Sequence, residues 1–410
     1  MLSASALENG IQRKTHKMES FEKRILLNTC FGHFLSHFNM LVFPAVVIPL
    51  TAQMNLTMAD VLGLSFWMYL LFGLTALPWG LAADRWGAKP LLILLYLGSG
   101  LAGIGAAVWI GSPGGFAAAL AALGFFSGIY HPAGLGLISK EMQRVSVGMG
   151  FNGMFGNLGL AAAPLLTGFF NWLWGPQAAY LFLGGLNLCG CLLLQTLPIT
   201  KSGHPDTALS AQESGMLSAF LILLVAMMLG GIVYRGATVI LPAYFELKNQ
   251  QIFLWLASTA SGGLSKNLVA TSLTSIIFLV GMLGQYTGGR IAERYTPKYG
   301  YLIFHILTVP AAFLMALAGN IPLVALAVIY FFFLLGMQPI ENTLVANFTP
   351  RRFHHSAYGI KFVLTFGVGA LAVKMAAFIE TTAGIGAIFP ALGFTSLILV
   401  AVIVLLIFKT

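Results

Sequence analysis

The sequence predicts an all-α polytopic membrane protein of about twelve transmembrane helices, arranged as two pseudo-symmetric six-helix halves. Three observations carry this reading. The chain of 410 residues is 58% hydrophobic and only 8% charged, with a mean hydropathy of +0.88, whereas a soluble domain of this length needs a charged surface to stay wet. Apolar runs of about 20 residues, the length that crosses roughly 30 Å of hydrocarbon, recur along the chain. One loop motif also occurs twice, at matching places in the two halves.

Taken in order, the apolar runs place spans at about 25–50, 58–82, 90–110, 115–139, 147–171, 177–197, 217–243, 268–290, 299–319, 321–346, 355–379 and 384–408. A basic tail, 1–24, precedes them. The first run is too long for a secretory signal and lacks a small-residue cleavage site, so it reads as an uncleaved span. The stretch "LPITKSGHPDTALSAQESG", Leu197 to Gly215, is too polar to span. It marks a central loop, 198–216, between an N-terminal half, 25–197, and a C-terminal half, 217–410. Cys30, Cys189 and Cys191 fall inside spans and read as small apolar packing residues.

The net charge of +9 describes topology rather than a nucleic-acid surface. The tail carries Arg13, Lys14, Lys17, Lys23 and Arg24. Every second loop then adds bases: Arg85 and Lys89, Lys140 and Arg144, Lys201, Arg290, Arg294 and Lys298, Arg351 and Arg352, and finally Lys409. The opposite loops hold only Lys248 and Lys266. The positive-inside rule therefore predicts cytoplasmic termini. The expected setting is a plasma membrane, a bacterial inner membrane in particular, with lipid as the surrounding phase and no nucleic-acid partner.

After the second span comes "GLAADRWGAK", Gly80 to Lys89, and after the eighth "GRIAERYTPK", Gly289 to Lys298. Gly80, Asp84 and Arg85 correspond to Gly289, Glu293 and Arg294. Gly80 permits close helix approach, Gly87 a tight turn, and Asp84 is placed to accept hydrogen bonds from a helix N-terminus or an arginine. A duplicated six-helix unit puts a solute pathway between its halves near the bilayer midplane.

The first of these loops resembles the signature of the major facilitator superfamily, matching at Gly80, Asp84, Arg85, Gly87 and Lys89 and departing at Ala88. The resemblance implies an alternating-access fold, a latch role for the loop, and function as a monomer. In the fifth span "GLAAAPLLTG", Gly159 to Gly168, is similar to the Gly-Pro motif of drug-antiporter branches, with Ala163 where glycine is usual. That implies exchange or efflux, with Pro164 as a bend. Ordinary small-residue packing explains the same stretch.

Two further prolines sit at equivalent depths. Aligning Phe125-Phe126 of the fourth span with Phe332-Phe333 of the tenth brings His131-Pro132 onto Gln338-Pro339. Each pair sets a polar side chain before a residue that frees a carbonyl and bends the helix, so Pro132 and Pro339 read as hinges. Such irregularity is tolerated at membrane depth where it lines a cavity. A His-Pro pair in the fourth span also resembles the fosmidomycin-resistance and sugar-efflux-like branches.

Ionisable residues inside spans are expensive and functional by default. His33 and His37 lie one turn apart on one face. They are candidates for proton handling or for packing, and with no third ligand nearby they do not predict a metal site. His131 joins them as a proton-handling candidate. Glu341 in the tenth span and Lys361 in the eleventh lie within about two turns of the cytoplasmic face. An ion pair between them would be either a gate that breaks as the halves rock or a structural tether. Lys374, about 220° around a regular helix from Lys361, would snorkel outward. Arg235 sits in the outer half of the seventh span with no acid at its depth. Among Trp67, Tyr69, Phe126, Tyr130 and Tyr234, the two chosen as cavity residues are Tyr130 and Tyr234, beside His131, Gln338 and Arg235.

No phosphate loop or catalytic constellation is present in the sequence, so neither an enzyme nor an ATP-driven pump is expected. The expectation is a secondary transporter that uses no cofactor, draws on a proton gradient, and moves a small organic anion or zwitterion, outward by preference. An uptake symporter is the alternative within the class. A non-transporting receptor on the same fold is the alternative outside it, and would normally add a long soluble domain.

Overall fold

In the computed structural model of the chain, residues 19–143, 145–197, 217–259, 263–349 and 354–410 are described. Arg13, Lys14, Lys17, Arg144, Lys201, Arg351, Arg352 and the central loop 198–216 lie outside the described residues. Among those described the secondary structure is helical, with no strand.

Ten helices are long and apolar enough to cross a membrane, and two bent pairs raise the number to twelve. The first span is the pair Ser20–Ala45 and Val47–Met54, bent by 53°. The bend follows Pro44, which cannot donate to the preceding turn. The second span is the pair Met58–Leu74 and Ala76–Trp86, bent by 44°. The other ten are Ala88–Val108, Pro113–Glu141, Val147–Trp174, Pro176–Thr196, Leu217–Lys248, Lys266–Arg294, Pro297–Leu317, Asn320–Phe348, Ala357–Ala383 and Ile385–Lys409. A short helix, Gln250–Thr259, lies between the seventh and eighth spans. The sequence reading did not anticipate it, because ten residues fall well short of a span.

Helix starts follow local chemistry. The Ser112 hydroxyl accepts from the Gly115 N–H, with Pro113 in the first turn of the fourth span. Ser265 caps the eighth span by accepting from Leu268 N–H.

The first span packs on the fourth and fifth, while the third and sixth lean on each other at the rim. The other half repeats the plan, with the seventh span on the tenth and eleventh and the ninth on the twelfth. The halves meet where the first span touches the seventh, the second the eleventh, and the fifth the eighth. At the second of these contacts the backbones nearly touch: a Cβ on Gly73 would stand 2.1 Å from Gly367 N. Small residues let membrane helices approach this closely.

One expectation about helix shape is corrected, in the eleventh span. Pro164 lies inside one continuous helix, Val145–Trp174, where a proline bends a helix without ending it. The eleventh span is not uniform, because a π-turn at Val363–Gly367 and a 3-10 turn at Val368–Ala370 interrupt it. The regular-helix angle between Lys361 and Lys374 therefore does not apply. Lys374 is exposed, with its ammonium 5.1 Å from the Phe66 ring centre.

Candidate functional site

The first and fourth spans build one wall. The fourth span changes segment after Ser127, and its second helix begins at Tyr130, so Pro132 falls in an opening turn, where a missing N–H costs least. Tyr130 is fully buried. Its hydroxyl donates to Thr29 O at 2.7 Å and accepts from Asn152 Nδ2 at 2.6 Å. This corrects its assignment as a cavity residue: the ring is a strut between the first, fourth and fifth spans. Asn152, which sequence reasoning missed, also offers its carbonyl to His33 Nδ1 at 2.8 Å. Its signal was an amide, one of two with Asn157, in an otherwise apolar run.

His33 Nε2 lies 3.1 Å from His37 Nε2. His131 completes a triangle with them, and the ligand atoms of all three rings lie within 4.8 Å of one another. The expectation that the pair lacks a third ligand is thereby corrected, since the third imidazole arrives from a helix distant in sequence. Both ring nitrogens of His131 are buried without a hydrogen-bond partner. Its ring stacks on Phe362 at 4.9 Å and on Phe366 at 5.8 Å, both contributed by the eleventh span in the other half.

Arg235 is 3% exposed and does not face lipid headgroups. Its guanidinium carbon stands 3.9 Å above the Tyr69 ring of the second span and 5.8 Å from the Tyr234 ring. Its Nε is buried without a partner. Among the described residues no acid pairs with it. The π-face of Tyr69, passed over in the sequence, is the compensation found: a cation over an aromatic face gains about 2 kcal/mol or more when desolvated. Tyr234, 3% exposed, lies 6.5 Å from Phe366, so Arg235 and the histidines occupy neighbouring positions where the halves meet.

Glu341 and Lys361 make the expected ion pair at 2.7 Å, with the side chains 2% and 7% exposed. Tyr301 donates to the other carboxylate oxygen at 2.9 Å, and Lys361 also donates to Asn342 Oδ1 at 2.5 Å. All four residues belong to the C-terminal half. A pair within one half is not split when the two halves rock as rigid bodies, so of the two readings the tether fits and the gate does not.

At the loop between the second and third spans, Asp84 accepts from Lys140 Nζ at 2.8 Å, and both side chains are solvent-exposed. The partner is thus a lysine at the end of the fourth span rather than an arginine or a helix terminus. Gly87 takes φ 81°, the left-handed conformation its turn requires. Lys89 Nζ donates to Leu197 O. In the second copy Glu293 pairs only locally, with Arg290 at 3.4 Å, and Arg294 lies on the exposed side.

The internal repeat is visible in three dimensions. Gly80 faces the Pro132 Cβ at 3.5 Å and Gly289 faces the Pro339 Cβ at 3.8 Å, measured from an ideal Cβ. Both distances are ordinary contact, so neither glycine is forced by crowding. Pro339 lies inside the continuous helix Asn320–Phe348, where a proline bends a helix without ending it. Gln338 accepts from Gln285 Nε2 at 2.9 Å, and Asn157 of the opposite half donates to Gln285 Oε1 at 2.5 Å.

Two pseudo-symmetric six-helix halves meeting around a buried arginine and three imidazoles define the architecture of an alternating-access transporter. The sequence model of the Major Facilitator Superfamily matches residues 29–373, and the chain belongs to that superfamily. No curated protein sequence matches the chain significantly. Among solved structures, it is similar to a bacterial homologue of the human lysosomal transporter Spinster in an inward-facing, unoccupied conformation. The TM-score is 0.70 at 15% identity, over 96% of both chains. It is also similar to the peptide transporter POT in complex with sulfate, with a TM-score of 0.73 at 16% identity over 93% of this chain and 95% of that one. For the nucleoside transporter NupG the TM-score is 0.70 at 16% identity, over 93% and 99%. These likenesses establish the fold of a multi-pass membrane transporter, and its relatives are not enzymes.

Proposed function

We propose that the protein is a proton-coupled secondary transporter that moves a small organic anion or zwitterion out of the cell by alternating access. The observation that carries the substrate class is Arg235, a guanidinium 3% exposed, with no acid paired to it among the described residues and lying where the halves meet. Burying arginine at a helix centre costs at least about 2.5–3.5 kcal/mol on insertion scales. A carboxylate or phosphonate would complete what the Tyr69 ring begins, because the planar fork of arginine matches such groups. A cationic drug would add repulsion instead.

Coupling is assigned to Glu341, the one fully buried carboxylate paired with a buried cation among the described residues. A proton on Glu341 releases Lys361 without moving either half as a whole, which makes the tether sensitive to the gradient. Outward transport rests on the likeness of the fifth span to antiporter motifs. The inner-membrane location and cytoplasmic termini rest on the distribution of basic residues. The test is a thermal-shift screen of the purified protein against organic anions, amino acids, sugars and cationic drugs, followed by proteoliposome flux with and without a pH gradient. Ligands that bind the folded state raise its melting temperature. Stabilisation by anions together with gradient-driven flux supports the reading, and stabilisation by cationic drugs alone overturns it.

A further inference from the structure

We propose that His33, His37 and His131 form a binding site for a divalent transition-metal ion of the zinc class, seated between the first and fourth spans.

The three ring centroids are 4.9, 5.3 and 5.4 Å apart. Three imidazoles bound to one tetrahedral zinc at about 2.0–2.1 Å would place their centroids roughly 5 Å apart. The triangle therefore has the dimensions of a three-histidine site before any ion enters. The 3.1 Å between the Nε2 atoms of His33 and His37 is close to the roughly 3.3 Å that two nitrogens keep on a tetrahedral ion.

Protonation follows from the partners. The Asn152 carbonyl can only accept, so His33 Nδ1 carries the hydrogen and Nε2 keeps its lone pair toward His37. A ring nitrogen donating to a backbone carbonyl is the usual outer-shell support of a metal-bound histidine. His131 is 6% exposed and has no hydrogen-bond partner on either nitrogen. Leaving a buried polar group unpaired costs about 1–3 kcal/mol, a cost that coordination would remove at the one nitrogen that binds.

The fourth position would be open, as in sites that bind water or an anion. Arg235 opposes a bare dication and favours one that carries an anionic fourth ligand. Because His131 also stacks on Phe362 and Phe366 of the opposite half, occupancy is placed to bias the contact between the halves.

The test uses the full-length protein in lipid nanodiscs, stripped with a chelator and titrated with Co²⁺. The expected result is one equivalent per chain, visible as the intense visible absorption of tetrahedral cobalt and displaced by Zn²⁺. His131→Ala and, as the shape-conserving variant, His131→Asn should each weaken binding by at least about tenfold to a hundredfold, the loss that even outer-shell changes produce. Unchanged melting temperature of either variant establishes that it is folded. Arg235→Gln should retain the metal while losing the substrate anion, so failure of the metal site and failure of the anion reading are separable. Absence of the cobalt bands in the native protein, or bands that survive both His131 substitutions, overturns the proposal.

Discussion

Lys361 Nζ stands 2.7 Å from a carboxylate oxygen of Glu341, and both side chains are almost completely removed from solvent. Removing one member of a buried pair leaves an uncompensated charge and costs about 3–5 kcal/mol, whereas replacing both is often neutral. Glu341→Gln or Lys361→Met alone should therefore lower the melting temperature clearly, and the double variant should recover most of the loss. If Glu341 also carries the proton, counterflow exchange by the double variant should continue while a pH gradient no longer drives accumulation. Gradient-driven accumulation at the native level in the double variant would place coupling elsewhere.

Asp84 and Lys140 tie the second span to the fourth at an exposed end of the helices. Exposed pairs contribute little to stability. Asp84→Asn is expected to leave folding and membrane insertion intact while cutting transport strongly, through a shift in the resting conformation. The exchanged pair Asp84→Lys with Lys140→Asp should recover part of the rate, which a purely topological role would not predict. Native flux in Asp84→Asn would refute the latch.

Tyr130 spends its hydroxyl on the Thr29 carbonyl and the Asn152 amide. Tyr130→Phe leaves the Asn152 side-chain amide buried and unpaired, a cost of about 1–3 kcal/mol, while Thr29 O keeps its bond within the first helix. The expected outcome is a less stable protein with unchanged apparent affinity for substrate. A large rise in KM with stability preserved would return Tyr130 to the cavity.

Span number and the internal repeat were legible in the sequence because hydropathy and loop motifs are local properties. The Glu341–Lys361 contact was legible as well, since depth along two adjoining antiparallel helices is fixed by simple counting. What escaped was lateral. Nothing local indicates that His131 closes on His33 and His37, that Tyr69 lies under Arg235, or that Asp84 meets Lys140 rather than an arginine. Each of these contacts depends on the rotation of one helix about its axis relative to another. Counting also failed inside the eleventh span, where the π-turn at Val363–Gly367 resets the helical phase. Such turns concentrate at functional sites, and this one lies against Gly73 of the opposite half.

That contact makes its own prediction. With backbone atoms of Phe366 and Gly367 within 2.1–2.7 Å of where a Gly73 Cβ would stand, Gly73→Ala cannot be absorbed by a side-chain rotation. The second and eleventh spans must separate. Transport should fall, and cysteines placed along these two spans should become more accessible to a water-soluble thiol reagent. An alanine variant with native flux and unchanged labelling would mean that the two spans are not in contact in the working cycle.

Arg235 gives the most direct test of substrate charge. Its guanidinium carbon approaches the Tyr69 ring centre to 3.9 Å, and its Nε is unpartnered. Lysine keeps the charge but has neither the planar stack nor the forked donors. If the site needed positive charge alone, Arg235→Lys would transport well and Arg235→Ala would not. If it needs the fork, both should fail nearly alike, with binding weakened about 10- to 100-fold for the loss of a charge-assisted hydrogen bond worth about 1.5–3 kcal/mol. Tyr69→Phe retains the aromatic face and should keep most of the affinity, whereas Tyr69→Leu removes the ring and should lose stability as well as binding. The measurement is flux of an anion identified by thermal shift, with membrane delivery of each variant confirmed by immunoblot. A lysine variant with undiminished flux would sink the bidentate reading, because no other group in the site reproduces that geometry.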